Sequence, residues 1–188
     1  MRHLIFLATL FCLAGTAAAT TYEASIGVTF PDEVAGLPFA GRKAFPQKEL
    51  GVNLGYQRSG PVRGSIYIYT GGEKNIPPGP DSFVVRNHFA KVISEVKELE
   101  KQGKVRAIKL PGGDEQITSS PGCGPQFVWR AFEMDLPEGT LASSTYLTGI
   151  NGNFVKLRIS YPKGDAKGQQ DANLFLEKMR QILGNCKD

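Results

Sequence analysis

The sequence predicts an α+β fold: an antiparallel sheet of about six strands with two helices packed on it. Three observations carry this. Residues 81–103 have the apolar period of one long helix. Residues 169–183 repeat that period near the end of the chain. Between and before them, apolar side chains alternate with polar ones at the two-residue period of strands.

Residues 22–30, YEASIGVTF, predict a first strand. Residues 37–45 contain Pro38 and Gly41 and predict a loop or a short irregular hairpin. In residues 51–57, Val52, Leu54 and Tyr56 alternate with Asn53, Gly55 and Gln57, the pattern of a half-buried strand. Residues 63–70 predict the next strand, with Ile66 and Ile68 on one face and Tyr67 and Tyr69 on the other. The short turn at 58–61 implies that these two strands pair antiparallel. Residues 71–80 are a loop rich in Pro and Gly whose polar side chains are Glu73, Lys74 and Asn75.

The long helix follows. Val85, Phe89, Val92, Ile93, Val96 and Leu99 share one face; Asp81 or Ser82 can cap its start and Gly103 can end it. Residues 105–110 predict a short strand. Residues 126–136 predict a strand apolar on both faces, as central strands are. Arg130 is out of place there, and a buried arginine needs a partner. Asn151 and Gly152 between two alternating runs predict a type I′ hairpin. The register follows: Ile150 opposite Asn153, Thr148 opposite Val155, Tyr146 opposite Leu157, and Ser144 opposite Ile159. Tyr146, Val155, Leu157 and Ile159 then meet a core, while Thr145, Leu147, Lys156 and Arg158 face water or a partner. In 169–183 the stripe is Ala172, Phe175, Met179, Ile182 and Leu183, ended by Gly184.

This order of elements resembles the PsbP-like family, which includes small exported bacterial proteins of the DcrB type. The resemblance is carried by GVTFP, GVNLGY and SIYIYT before the long helix, then by WRAFEMDL, STYLTGINGNFVKLRISYP and FLEKMRQIL. It implies an α/β/α sandwich and a non-catalytic accessory or binding role.

The first residues set the expected address. Arg2 supplies a positive start, residues 4–13 an apolar core, and Ala17, Ala18 and Ala19 the small residues ahead of a cleavage site. A signal peptide is expected over residues 1–19, leaving one globular domain over 20–188. Leu10 and Phe11 precede Cys12 where a lipid-anchoring site needs small residues. No later stretch is apolar for long enough to cross a bilayer as a helix. The expected product is soluble and exported, periplasmic first and extracellular second. Cys123 and Cys186 remain after cleavage, and an isolated pair in an exported chain predicts a disulfide. A metal pair or a reactive thiol are the competing roles, but no histidines lie near enough to complete a zinc site.

Lys and Arg number 22 against 18 Asp and Glu, a formal net charge of +4. The basic residues are dispersed, which argues for a solvated surface. No nucleic acid partner is expected of an exported chain. Another envelope protein or an anionic envelope component is.

His88 is the only histidine beyond residue 19, and its place beside the apolar stripe predicts a packing role. One histidine makes no multi-histidine metal site and no convincing Ser–His–Asp set. No cofactor and no metal are expected. The acid pairs Asp32 with Glu33, Asp114 with Glu115, and Glu133 with Asp135 are candidates for acid–base chemistry. Glu133 and Asp135 alternate on one strand face about 7 Å apart, a spacing that suits hydrolysis of an envelope polymer. Binding is the expectation over catalysis. Tyr67 and Tyr69 on one strand, with Lys156 and Arg158 on another, form an aromatic and basic surface if they share the sheet face that the helices leave uncovered. The chain thus reads as a periplasmic accessory or binding protein acting by surface recognition, not as an enzyme. A hydrolase using carboxylates, or an inhibitor or immunity-type protein that blocks another protein, are the alternatives. Intact-mass analysis of secreted protein is expected to find Thr20 at the N-terminus; a product retaining residues 1–19 would overturn the exported reading.

Overall fold

The computed structural model describes residues 20–58, 60, 62–119 and 122–186. The expected signal peptide lies outside them. The elements are β1 (Thr21–Glu23), β2 (Val28–Phe30), β3 (Glu33–Val34), β4 (Leu37–Ala44), β5 (Val52–Gln57), β6 (Arg63–Tyr69), α1 (Phe83–Lys101), β7 (Ala107–Lys109), β8 (Gln116–Ile117), β9 (Val128–Leu136), β10 (Gly139–Ile150), β11 (Asn153–Pro162) and α2 (Ala166–Leu183). Strands β1 and β2 pair by themselves. The others form one nine-stranded sheet in the order β3-β4-β5-β6-β11-β10-β9-β7, with β8 also on β9. Every pairing between these strands is antiparallel.

The α+β class is therefore as expected, but the sheet has nine strands rather than about six. Two of the additional strands, β3 and β8, are two residues long, too short to show a period. The third, β4, occupies the stretch expected to be a loop. Its alternation is broken by a bulge between Phe39 and Gly41, and its place comes from pairing with β5 rather than from local preference. Arg42 and Lys43 are exposed along β4, and such charges discourage further strand pairing. The single strand expected at 22–30 is a hairpin instead. Gly27, at φ 71, turns the chain between β1 and β2, and its N–H donates to Glu23 O at 2.9 Å.

Ser82 caps α1 by accepting from Val85 N at 3.2 Å. Asp165 caps α2 by accepting from Gly168 N at 3.0 Å. Helix α2 thus starts at Ala166, earlier than the expected 169, because this cap outweighs the poor helix propensity of Gly168. Asn151 (φ 46) and Gly152 (φ 72) both have positive φ, as a type I′ turn requires. The β10–β11 register is the expected one, with Ile150 opposite Asn153 and Tyr146 opposite Leu157.

Successive residues of β11 enter different cores. Val155, Leu157 and Ile159 pack with Ala172, Phe175 and Met179 of α2 and with Ile66 and Ile68 of β6. Phe154 packs with Val85, Phe89 and Ile93 of α1, and with Val128 and Leu147. Val96 of α1 continues that side over Phe132 and Met134. The two helices accordingly press on opposite faces of the sheet. Thr145 and Leu147, expected to face water or a partner, are 2% and 0% exposed, and Leu147 packs in the cluster under α1. Among the described residues, no helix is long and apolar enough to cross a membrane.

Cys123 and Cys186 are disulfide-bonded, with Cα atoms 5.9 Å apart and a sequence separation of 63. Closing a loop of that size contributes about 4 kcal/mol in the chain-entropy account. Gly64 shows how closely α2 seats on the sheet: a Cβ there would stand 2.3 Å from Cζ of Phe175. Gly64→Val is expected to destabilise the protein by about 2–3 kcal/mol in urea unfolding, and an unchanged midpoint would show that Phe175 does not rest on β6.

Candidate functional site

A helix is about 10 Å across, whereas each strand adds about 4.8 Å to a sheet. One helix cannot cover a sheet face this wide. The buried residues of α1 meet side chains of β9, β10 and the start of β11, leaving the same face of β4, β5 and β6 without a helix over it. A cavity of about 390 Å³ lies along the boundary.

Five parts of the chain build it. Helix α1 presents His88, Lys91 and Glu95 along one edge, at steps of three and four residues. Strand β6 supplies Tyr67 and Tyr69, two residues apart and so on one face. Strand β11 supplies Lys156, the cross-strand neighbour of Tyr67. Phe45 and Leu50 close one side, and Gly71 and Glu73 come from the loop before α1. That loop is fixed to the sheet. Gly79 and Gly149 exchange two backbone hydrogen bonds, at 3.0 and 3.1 Å. A Cβ on Gly149 would lie 1.9 Å from Pro77 O, so only glycine lets the loop lie so close.

The electrostatics are set by burial. The Lys156 ammonium stands 4.5 Å from the Tyr67 ring centroid and 5.6 Å from that of Tyr69. It joins none of the ion pairs among the described residues. Burial pushes its pKa down, Glu95 opposes this, and Arg158 adds to it. His88 stacks on Phe154 with centroids 3.9 Å apart and planes 8° from parallel. Its Nε2 lies 2.9 Å from the Tyr69 hydroxyl. Burial, then the charges of Lys156 and Lys91, lower the His88 pKa to about 4, so the ring is neutral near pH 7. Burial raises the Tyr69 pKa. A protonated Tyr69 can thus donate to the bare nitrogen of a neutral His88.

Three of the four residues expected to form a binding surface therefore meet here: Tyr67, Tyr69 and Lys156. They lie beside α1 on the face that it partly covers, not on a helix-free face. Arg158 shares that face but turns away. Its guanidinium sits 5.5 Å from the Phe132 ring centroid, and Nη2 approaches Met134 Sδ at 2.6 Å. His88 packs as expected, yet it also lines the cavity. Lys91, Glu95, Phe45 and Leu50 were not foreseen; the polar spacing 88, 91, 95 along one helix edge is the one sign of them in the sequence.

The carboxylate candidates lie elsewhere. Glu133 pairs with Lys163 at 2.8 Å, and Asp135 accepts from Thr140 Oγ1 at 3.3 Å. Glu115 pairs with Arg86 at 2.8 Å. Arg130 Nε is buried with no hydrogen-bond partner among the described residues. Those residues hold no group of three His, Cys, Asp or Glu side chains able to bind a metal ion. A second cavity, of about 880 Å³, lies beside the disulfide on the α2 side.

No protein-family model and no curated protein matches this chain.

Because His88 has a lowered pKa in the folded state, the unfolded chain binds more protons between about pH 4 and 6.5. Its contribution is full above pH 6.5 and is lost as the pH falls toward 4. His88→Gln is expected to remove about 1–2 kcal/mol of this acid sensitivity, after allowance for solvent access. Urea midpoints measured from pH 7 to 4 check this; parallel curves for the two proteins would place the ring in water.

Proposed function

We propose that this chain is an exported, non-catalytic binding protein that recognises its partner through the groove beside α1. One observation carries the reading: Lys156 is a half-buried cation without an ion pair among the described residues, its ammonium set against two aromatic rings. Withdrawing an ammonium even partly from water is unfavourable. Cation–π contact returns about 0.5–2 kcal/mol. Glu95, on the same cavity wall, supplies part of the compensating charge, and an acidic group on a partner would supply more. Phe45 and Leu50, the latter 45% exposed, offer contact to an apolar neighbour of that group.

The partner is thus an acidic group carried on an apolar body, from another envelope protein or from an anionic envelope component. A periplasmic setting is supported by the leader-like pattern of residues 1–19 and by the disulfide. The PsbP-like resemblance is supported by the order of strands and helices and by the placing of the two helices against opposite faces. The engagement of Glu133 with Lys163 favours binding over hydrolysis.

Capture from an envelope extract on immobilised, oxidised protein tests the groove. A component held by the wild type is expected to be lost about tenfold on Lys156→Gln and on Tyr67→Ala. Equal retention by all three proteins, or none by the wild type, would sink the reading.

A further inference from the structure

The larger cavity, beside the disulfide, has a chemistry unlike that of the groove. One wall is aromatic. Trp129 and Tyr146 stack with centroids 5.7 Å apart and planes 19° from parallel. Tyr146 is buried and Trp129 half-buried, so the indole is the ring that meets a ligand. The facing wall is an edge of α2, where Asn173, Glu177, Arg180 and Gln181 recur at helical spacing. Gln116 enters from β8. Arg180 donates through Nε to Pro125 O at 3.1 Å, while its Nη2 is buried with no partner among the described residues.

These groups select by elimination. An apolar guest would leave the amides and the arginine unpaired, at about 1–3 kcal/mol for each group it buries. An anion meets Glu177, and a cation meets Arg180, so the single acid and single base favour neither sign. A neutral polyol satisfies all of them. Its hydroxyls both donate and accept, as the amides do, and a carboxylate or a guanidinium can each bridge adjacent hydroxyls. The C–H face of a pyranose ring presents an apolar surface of the right shape for the indole. A cavity of about 880 Å³ falls in the range of small-molecule sites.

We propose that this cavity is a second binding site, specific for a short neutral oligosaccharide. It lies on the face that bears α2, across the sheet from the groove, so the two sites do not overlap and neither depends on the other. The chain contains one tryptophan, and Trp129 lines the cavity. Its fluorescence therefore reports occupancy directly.

The oxidised protein is titrated with cellobiose, maltose and N,N′-diacetylchitobiose to roughly 20 mM, a range that captures millimolar affinity. A saturable change in tryptophan emission is expected with at least one of them, matched by calorimetric heat. Asn173 and Glu177 are exposed helix positions, so the double variant Asn173→Ala, Glu177→Ala should stay folded by circular dichroism and bind about tenfold more weakly. Lys156→Gln, in the groove, should bind as the wild type does. No saturable change with any of the three sugars would overturn the proposal. So would a change that the folded double variant retains in full.

Discussion

Strand β11 lies between β6 and β10, and its residues alternate without exception from Phe154 to Ile159 between two environments. Val155, Leu157 and Ile159 build the core under α2; Phe154, Lys156 and Arg158 stand on the face of α1. A slip of one residue would exchange the sets and drive two cations into the α2 core. Burying unpaired charge costs several kcal/mol for each ion, so the Asn151–Gly152 turn that sets this register holds both the core and the groove in place. Core and candidate site are two readings of one constraint.

The second constraint is width. Helix α1 buries Val85, Phe89, Val92, Ile93 and Val96, worth on the order of 10 kcal/mol of apolar burial. That is enough to seat the helix over β9 and β10, yet one helix leaves the β4 to β6 side of the face open. At the margin the sheet changes character, from Leu147 and Val128 to Tyr67, Tyr69 and Lys156. Side chains that would be out of place in a core are tolerated there because water reaches one side. Phe154 and His88 mark the transition, with an apolar ring stacked on a polar one. The result is a mixed apolar and cationic groove backed by a fixed sheet and a loop pinned at Gly149, a rigid setting of the kind that lowers the entropy cost of binding.

Both helices, the strands at 51–57, 63–70 and 126–136, and the last hairpin were legible because each has a strong period or a turn with a steric requirement. Strand β4 was not legible, because Pro38, Gly41 and the bulge hide its alternation until β5 supplies the partner. Tyr67, Tyr69 and Lys156 could be named as a surface, since alternation gives each side chain its face. Their meeting with His88 could not, because it depends on where along the face the helix comes to rest. The direction of Arg158 along that face depends on the same packing: it lies against Phe132 and Met134.

The sequence by itself determined the fold class, the cysteine pair and the register of the final hairpin. These follow from periodicity, composition and turn sterics, which for the strands, helices and hairpin act over a few residues. Only the tertiary structure decided which half of a sheet face is covered, which cations join no ion pair among the described residues, and which helix edge meets which strand. Those outcomes depend on packing between elements far apart in the chain, where width and shape matter and local pattern does not.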